Sequence, residues 1–249
     1  MRIGFPGERG AYAEAAAAAL FNFDIATRPL RSYAEICDGL DGGQISLGIL
    51  PLENNYTGSF HEVYDLLRER DVYITNEIEL RTSYVLAGSK NASENTLKRI
   101  YAHPLALAQC EDYIRSLKGV DLIPRYDTEQ SDQDLVRRQS PEEATLCSRY
   151  AASVYGFKIM RKNCNTMEDS ATRYVAVAKE PRMPKPEEGQ PLTMVMFEMQ
   201  HKPGALMRCL SAFAESGLNL DGLVTRPTRA GDWDFTTFVT FEGLYNDPK

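Results

Sequence analysis

Four prolines fall within the twelve residues EPRMPKPEEGQP, Glu180 to Pro191. Proline fixes φ and removes an N–H donor, so neither a helix interior nor a central strand tolerates that density. The segment reads as a linker, and it divides the 249-residue chain into a part of residues 1–180, the linker 181–191 and a part of residues 192–249. The first part is long enough to bury a core of its own, whereas the second is too small to bury much without a partner surface.

Within residues 1–180 short apolar runs alternate with helical patterns. MRIGFPG is followed by an alanine-rich helix over Tyr12 to Phe21, and SLGILPLE by FHEVYDLLRER at helical spacing. The runs YVLAG, RIYAH and VDLIPRY continue the strands, with helices expected near ALAQCEDYIRSL and EEATLCSRYAASVYG. This alternation predicts an α/β fold with parallel strands. After the linker the order is strand LTMVMFEMQ, helix GALMRCLSAFAESG, strand LDGLVTRP and strand WDFTTFVTFEG. That βαββ order is a ferredoxin-like α+β unit lacking its final helix and strand, since the sequence closes on LYNDPK.

Net charge is −7, from 28 basic and 35 acidic residues, and no basic block occurs. That balance argues against a nucleic-acid surface that works by neutralising phosphates. No apolar stretch reaches membrane-spanning length, and the amino terminus lacks the charged and apolar regions of a leader. The five cysteines (Cys37, Cys110, Cys147, Cys164, Cys209) are scattered without CxxC spacing, so neither a disulfide framework nor a zinc site is expected, and a cytoplasmic location fits.

Four stretches carry residues suited to chemistry. GFPGERGAYAEAA follows the first strand and opens a helix, so Gly4, Gly7 and Gly10 either make turns or let N–H groups approach an anion. LPLENNYTGSF offers Glu53, Asn54, Asn55, Thr57 and Gly58 between a strand end and a helix start, where both a capped turn and a ligand crevice are open readings. YAHPLALAQC carries His103 and Gln109, with Pro104 at a helix start; a structural histidine and a ligand contact both remain open. In ATRYVAV, Thr172 supplies a hydroxyl and Arg173 a planar fork that suits a carboxylate, or else pairs with a local acid such as Glu168 or Asp169.

In order and approximate spacing these stretches resemble the prephenate dehydratases, with GERGAYAEAA, PLENNYTGS, AHPLALAQC and ATRY standing for the four family segments. KPGALMRCLSAFAESGLNLDGLVTRP resembles the regulatory ACT domain that follows the catalytic domain in these enzymes. The resemblance implies a two-lobed, periplasmic-binding-protein-like catalytic domain with its site in the cleft, and a partial ACT domain. It implies decarboxylating dehydration of prephenate to phenylpyruvate, with no metal or organic cofactor. Thr172 would sit at the departing hydroxyl and Arg173 on a substrate carboxylate, with Glu53 a proton relay or structural acceptor. Asn54, Asn55, Thr57, Gly58, His103, Gln109 and Thr128 would line the substrate. Gly204, Ala205, Leu206, Arg226 and Pro227 would form a phenylalanine site between subunits of a homodimer or homotetramer.

The sequence also departs from the family pattern. TEQSD, Thr128 to Asp132, replaces a small-residue helix start; Ser170 stands for a frequent Asn and Tyr174 for the usual Phe; Val224 and Thr225 stand where Glu-Ser is usual. Glu129 and Asp132 are expected to disfavour a dianion nearby unless turned away or paired. Arogenate as substrate, decarboxylation without loss of the hydroxyl, and a non-catalytic amino-acid sensor are the alternative readings.

Overall fold

The structure, a computed structural model, describes the chain apart from residues 22–24, 126–127, 167–168, 186–188, 200–201, 229–233 and 247–249, and apart from the side chains of residues 105 and 128–131. It divides into a unit of residues 1–60 and 72–180 and a unit of residues 61–71 and 181–249.

The first unit has two lobes. In the first lobe β1 (Arg2–Pro6), α1 (Tyr12–Phe21), β2 (Ala26–Leu30), α2 (Tyr33–Asp41), β3 (Leu47–Asn54) and the short β4 (Gly58–Ser59) follow in sequence. The chain then passes through α3 (His61–Glu69), which belongs to the second unit, and returns as β5 (Tyr73–Arg81). Alanines let α1 sit close to the sheet, where Ala13, Ala16 and Ala17 meet Ile3, Phe5, Ile49, Tyr174 and Ala176. At the entry to α2 the N-cap Ser32 accepts from the Glu35 N–H at 3.1 Å, and the Glu35 carboxylate accepts from the N–H of Arg31, one residue before the cap, at 2.9 Å. Gly48 lets α2 approach, since a Cβ there would fall 2.2 Å from the Ile36 side chain.

The second lobe contains β6 (Tyr84–Gly88), β7 (Arg99–Ala102), α4 (Pro104–Gln109), α5 (Glu111–Ser116), β8 (Asp121–Pro124), α6 (Thr128–Arg138), β9 (Glu143–Ser148), α7 (Arg149–Val154) and β10 (Lys158–Arg161). Its sheet runs β10-β6-β9-β7-β8. The expected helix over EEATLCSRYAASVYG is corrected here: Glu143–Ser148 is a strand buried along its whole length, and the helix begins only at Arg149. Cys147 packs with Ala151 and Ala152 of α7, and Ala144 and Leu146 pack with Ala106 of α4, so both faces are buried, which erases the alternation that marks a strand in sequence. Ser148 caps the shortened helix by accepting from the Ala151 N–H at 2.9 Å.

The last strand of the unit, β11 (Ala171–Ala178), returns to the first lobe and lies between β3 and β5 in the order β2-β1-β3-β11-β5, antiparallel to both neighbours. The expectation of parallel strands therefore holds for β1, β2 and β3 and for β7, β8 and β9, and fails where the chain changes lobes. The crossovers, residues 82–83 and 162–170, are tied together: Thr82 N donates to Ser170 O at 2.7 Å, and Asn165 Nδ2 donates to Thr82 O at 2.8 Å. Across the seam Tyr12 donates to Ser83 O and Tyr155 to Arg9 O, each at 2.9 Å. Gly10 is needed there twice over, with φ of 86° and a Cβ position 3.0 Å from Ala151 Cβ.

In the second unit β12 (Leu192–Glu198), α8 (Ala205–Glu215), β13 (Leu220–Pro227) and β14 (Phe235–Glu242) form an antiparallel sheet in the order β12-β14-β13. Phe241 meets Phe213 of α8 on one face, and Phe238 meets Tyr64 of α3 on the other. The sequence placed α3 with residues 1–180. It groups instead with the second unit because Tyr64, Asp65 and Arg68 all find partners there. No helix among the described residues is long and apolar enough to cross a membrane.

Candidate active site

The crossover delivers the first residues of β11 beside the end of β3. Asn54 Oδ1 accepts from the Tyr56 N–H at 2.9 Å and the Thr57 N–H at 3.0 Å, and these backbone donors fix which way the amide points. Its Nδ2 therefore faces β11, donating to Ala171 O and to Thr172 Oγ1, each at 2.9 Å. Thr172 is 7% exposed, and because its oxygen already accepts from Asn54 its own proton is directed elsewhere. The arrangement is an oriented hydrogen-bond donor.

Around it, Asn55 serves the backbone: Nδ2 donates to Asp169 O at 2.7 Å and Oδ1 accepts from Ala171 N at 2.9 Å. Thr57 donates to Asn54 Oδ1 at 3.3 Å, and Gly58, with φ of 80°, closes the turn into β4. These residues hold Asn54 and the start of β11 in place.

The sequence reading brought Thr172, Arg173 and Glu53 to one molecule. Strand alternation separates them. Thr172 pairs in register with Asn54 and Leu80, whereas Arg173 pairs with Glu53 and Glu79 and so faces the other side of the sheet. There Arg173 Nε lies 3.2 Å from Glu77 Oε1, a partner that sequence reasoning missed. The anion-binding reading of the first glycines also yields to internal partners. Gly7 N donates to Leu30 O at 2.9 Å, and Gly10 N to the buried Glu14 Oε2 at 2.7 Å.

In the second lobe His103 precedes α4, and its carbonyl accepts from Leu107 N at 3.0 Å in the first turn. Gln109 ends α4; its carbonyl accepts from Thr166 N at 2.8 Å, while its side-chain Oε1 is buried and has no hydrogen-bond partner among the described residues. Thr128 opens α6, and its side chain, like that of Glu129, lies outside the described residues. Asp132 is buried; burial raises its pKa to about 7, partly opposed by a hydrogen bond from Thr145. The same burial pushes the neighbouring Cys147 thiol up, with the Asp132 charge adding to the effect.

In the second unit Gly204, with φ of 76°, precedes α8, and Ala205 and Leu206 form its first turn. Arg226 near the end of β13 is on the opposite face, where Nε and Nη2 donate to both carboxylate oxygens of Asp65 at 2.9 and 2.8 Å. That bidentate bond raises the Arg226 pKa. Pro227 follows it and its carbonyl accepts from Arg68 Nη1 at 2.7 Å. A cavity of about 420 Å³ beside the pair is lined by Glu62, Asp65, Leu66, Glu69 and Arg226. Among the described residues no group of three His, Cys, Asp or Glu is placed to hold a metal ion, and all five cysteines are free thiols.

Fold and site define a two-lobed α/β protein whose crossover strand presents a fixed hydroxyl donor. The chain belongs to the prephenate dehydratase family, enzymes of aromatic amino-acid biosynthesis, and the match spans residues 3–182. It is 27% identical over 251 residues to the bifunctional chorismate mutase/prephenate dehydratase of Pseudomonas aeruginosa, covering 100% of this chain and 67% of that protein. It is 30% identical over 263 residues to the chloroplastic arogenate dehydratase/prephenate dehydratase 1 of Arabidopsis thaliana, covering 100% of this chain and 66% of that protein. The chain thus spans about two thirds of the length of these curated relatives.

Among solved structures, GqqA, described as a novel type of quorum-quenching acylase, superposes with a TM-score of 0.87 at 26% identity, over 100% of this chain and 89% of that one. The prephenate dehydratase of Arthrobacter aurescens in complex with L-Phe gives a TM-score of 0.85 at 24% identity, over 99% and 82% of the two chains.

Proposed function

We propose that the chain converts prephenate to phenylpyruvate, carbon dioxide and water, with Thr172 donating its hydrogen bond to the departing ring oxygen. The observation that carries this reading is the Asn54 Nδ2 to Thr172 Oγ1 bond at 2.9 Å, which turns the threonine proton away from Asn54. In the reaction the bond from the ring to its carboxylate breaks and its electron pair completes the aromatic ring. The ring C–O bond breaks in turn, and the oxygen leaves with its pair and gains a proton to become water. Threonine is too weak an acid to supply that proton outright. Its part is to stabilise the charge that grows on the leaving oxygen, which a preoriented donor does without reorganising.

The acylase description belongs to GqqA. In this chain the amide N–H on Thr172 Oγ1 withdraws electron density, the opposite of what activates a hydroxyl for attack, and so favours the donor role.

The β12-α8-β13-β14 unit acts as an ACT-type regulatory domain in a cytoplasmic homodimer or homotetramer, with L-phenylalanine as effector; the L-Phe complex of the Arthrobacter aurescens protein supports the choice of effector. An effector reaching Arg226 must compete with Asp65 for the guanidinium.

The test is incubation of the purified chain with prephenate and, separately, arogenate, with and without phenylalanine, and quantification of phenylpyruvate and phenylalanine by mass. Phenylpyruvate from prephenate is expected. A folded chain that yields no aromatic product from either compound overturns the reading.

A further inference from the structure

Buried polar atoms in folded proteins almost always have a partner, so each exception calls for a reason. Among the described residues the exceptions are Gln109 Oε1, Glu143 Oε2 and Ser170 Oγ. Glu143 Oε2 lies 3.0 Å from Arg138 Nε and is ion-paired. The remaining two flank one segment. Thr166 N, within the 162–170 crossover, bonds the Gln109 carbonyl, and Ser170 ends that crossover two residues before Thr172. Ser170 is 1% exposed.

The direction of Ser170 follows from the ladder. Ala171 pairs with Arg81, and the bond from Thr82 N to Ser170 O carries the pairing one residue further, so Ser170 continues the alternation of β11. It therefore stands on the same side of the strand as Thr172, about 6.6 Å along it. Two hydroxyl-bearing residues two positions apart on one side of a strand suit a molecule with oxygens at opposite ends of a six-membered ring.

We infer that Ser170 is a substrate-contacting residue, its hydroxyl donating to a carboxylate oxygen at the end of the ring opposite the departing hydroxyl. The inference rests on the dehydratase reading. A neutral donor suits that position, because a full cation on a carboxylate that loses its charge as carbon dioxide would stabilise the ground state more than the transition state. Ser170 thereby gains the partner that it lacks within the protein.

The experiment compares wild type, Ser170→Ala and Ser170→Cys for turnover of prephenate and for thermal unfolding. Ser170→Ala should lower kcat/KM at least about tenfold, mainly through KM, with Tm unchanged or raised because an unpartnered buried hydroxyl is removed. Ser170→Cys, which keeps the volume but donates weakly, should behave like the alanine variant. Wild-type kcat/KM in Ser170→Ala overturns the inference and leaves the dehydratase reading standing. A lowered Tm with activity rescued by Ser170→Cys assigns the residue to packing and overturns it too. A wild type without turnover of prephenate removes both.

Discussion

Thr172 and Arg173 are adjacent in the chain and act on opposite faces of one sheet, the first held by Asn54 at 2.9 Å and the second by Glu77 at 3.2 Å. The Arg173 and Glu77 side chains are 26% and 29% exposed, so the pair is partly screened. Arg173→Ala is therefore expected to cost about 0.5–1 kcal/mol of stability. Its kcat should fall by less than about tenfold, the equivalent of 1.4 kcal/mol. Urea unfolding and steady-state rates measure both, and a loss near 10²-fold in kcat would return Arg173 to the reacting molecule.

Thr172 and Asn54 act as one unit, and their variants should show it. Thr172→Ala removes the donor. Asn54→Asp replaces the amide N–H with an oxygen that captures the threonine proton. Each is expected to lower kcat by roughly 10²-fold, as loss of an oriented donor does. The double variant should fall little further than either single one, because groups that serve one interaction are not additive. Losses that multiply in the double variant would show that the two residues work independently.

Much of this was legible in the residues themselves. The strand and helix pattern from MRIGFPG to SLGILPLE appears in the fold, and the stretches LPLENNYTGSF and ATRYVAV supply the Asn54 and Thr172 that meet there. The opposite orientation of Arg173 was legible too, since neighbours in a strand face opposite sides, but motif reading groups residues by adjacency. The strand Glu143–Ser148 was hidden by burial of both faces. Membership of α3 in the second unit depends on Asp65 meeting Arg226, 161 residues away, and the orphaned hydroxyl of Ser170 exists only once the fold does.

Asp132 makes stability depend on pH. Its folded pKa of about 7 exceeds the ordinary carboxylate value, so the folded state holds a proton that the unfolded chain has released. Stability should then fall as pH rises from about 4 towards 7, with a penalty on the order of 4 kcal/mol above that range. Asp132→Asn keeps an acceptor for the Thr145 hydroxyl and carries no charge. Melting curves between pH 5 and pH 8 should show the variant gaining on wild type as pH rises; parallel curves would mean that the carboxylate reaches solvent.

Gly10 of the first lobe lies against Ala151 and Tyr155 of the second. An alanine there must adopt φ of 86° and bring its Cβ to 3.0 Å from Ala151 and 3.2 Å from the Tyr155 ring. Gly10→Ala is expected to cost roughly 1–3 kcal/mol. It should also loosen the seam. Hydrogen exchange should then quicken in α7 while the β12-β14-β13 sheet is unchanged, and wild-type exchange in α7 would show that the seam relaxes without strain.

Arg226 and Asp65 hold α3 against its sheet through a fork in which both N–H donors and both carboxylate oxygens are used. Their side chains are 17% and 8% exposed, so removing one leaves the other's charge largely out of water. Asp65→Asn preserves size and one acceptor but not the charge, and it should destabilise the second unit by about 1–3 kcal/mol. Amide exchange in α3 should quicken before that in β14, because β14 keeps its ladders with β12 and β13 while α3 loses its strongest polar tie. If exchange in α3 is unchanged, the apolar contact of Tyr64 with Phe238 suffices to hold the helix, and Asp65 serves only to keep Arg226 occupied. In that case, on the proposed phenylalanine regulation, the variant should bind phenylalanine more tightly than wild type, since an effector carboxylate would no longer face a charged competitor for the guanidinium.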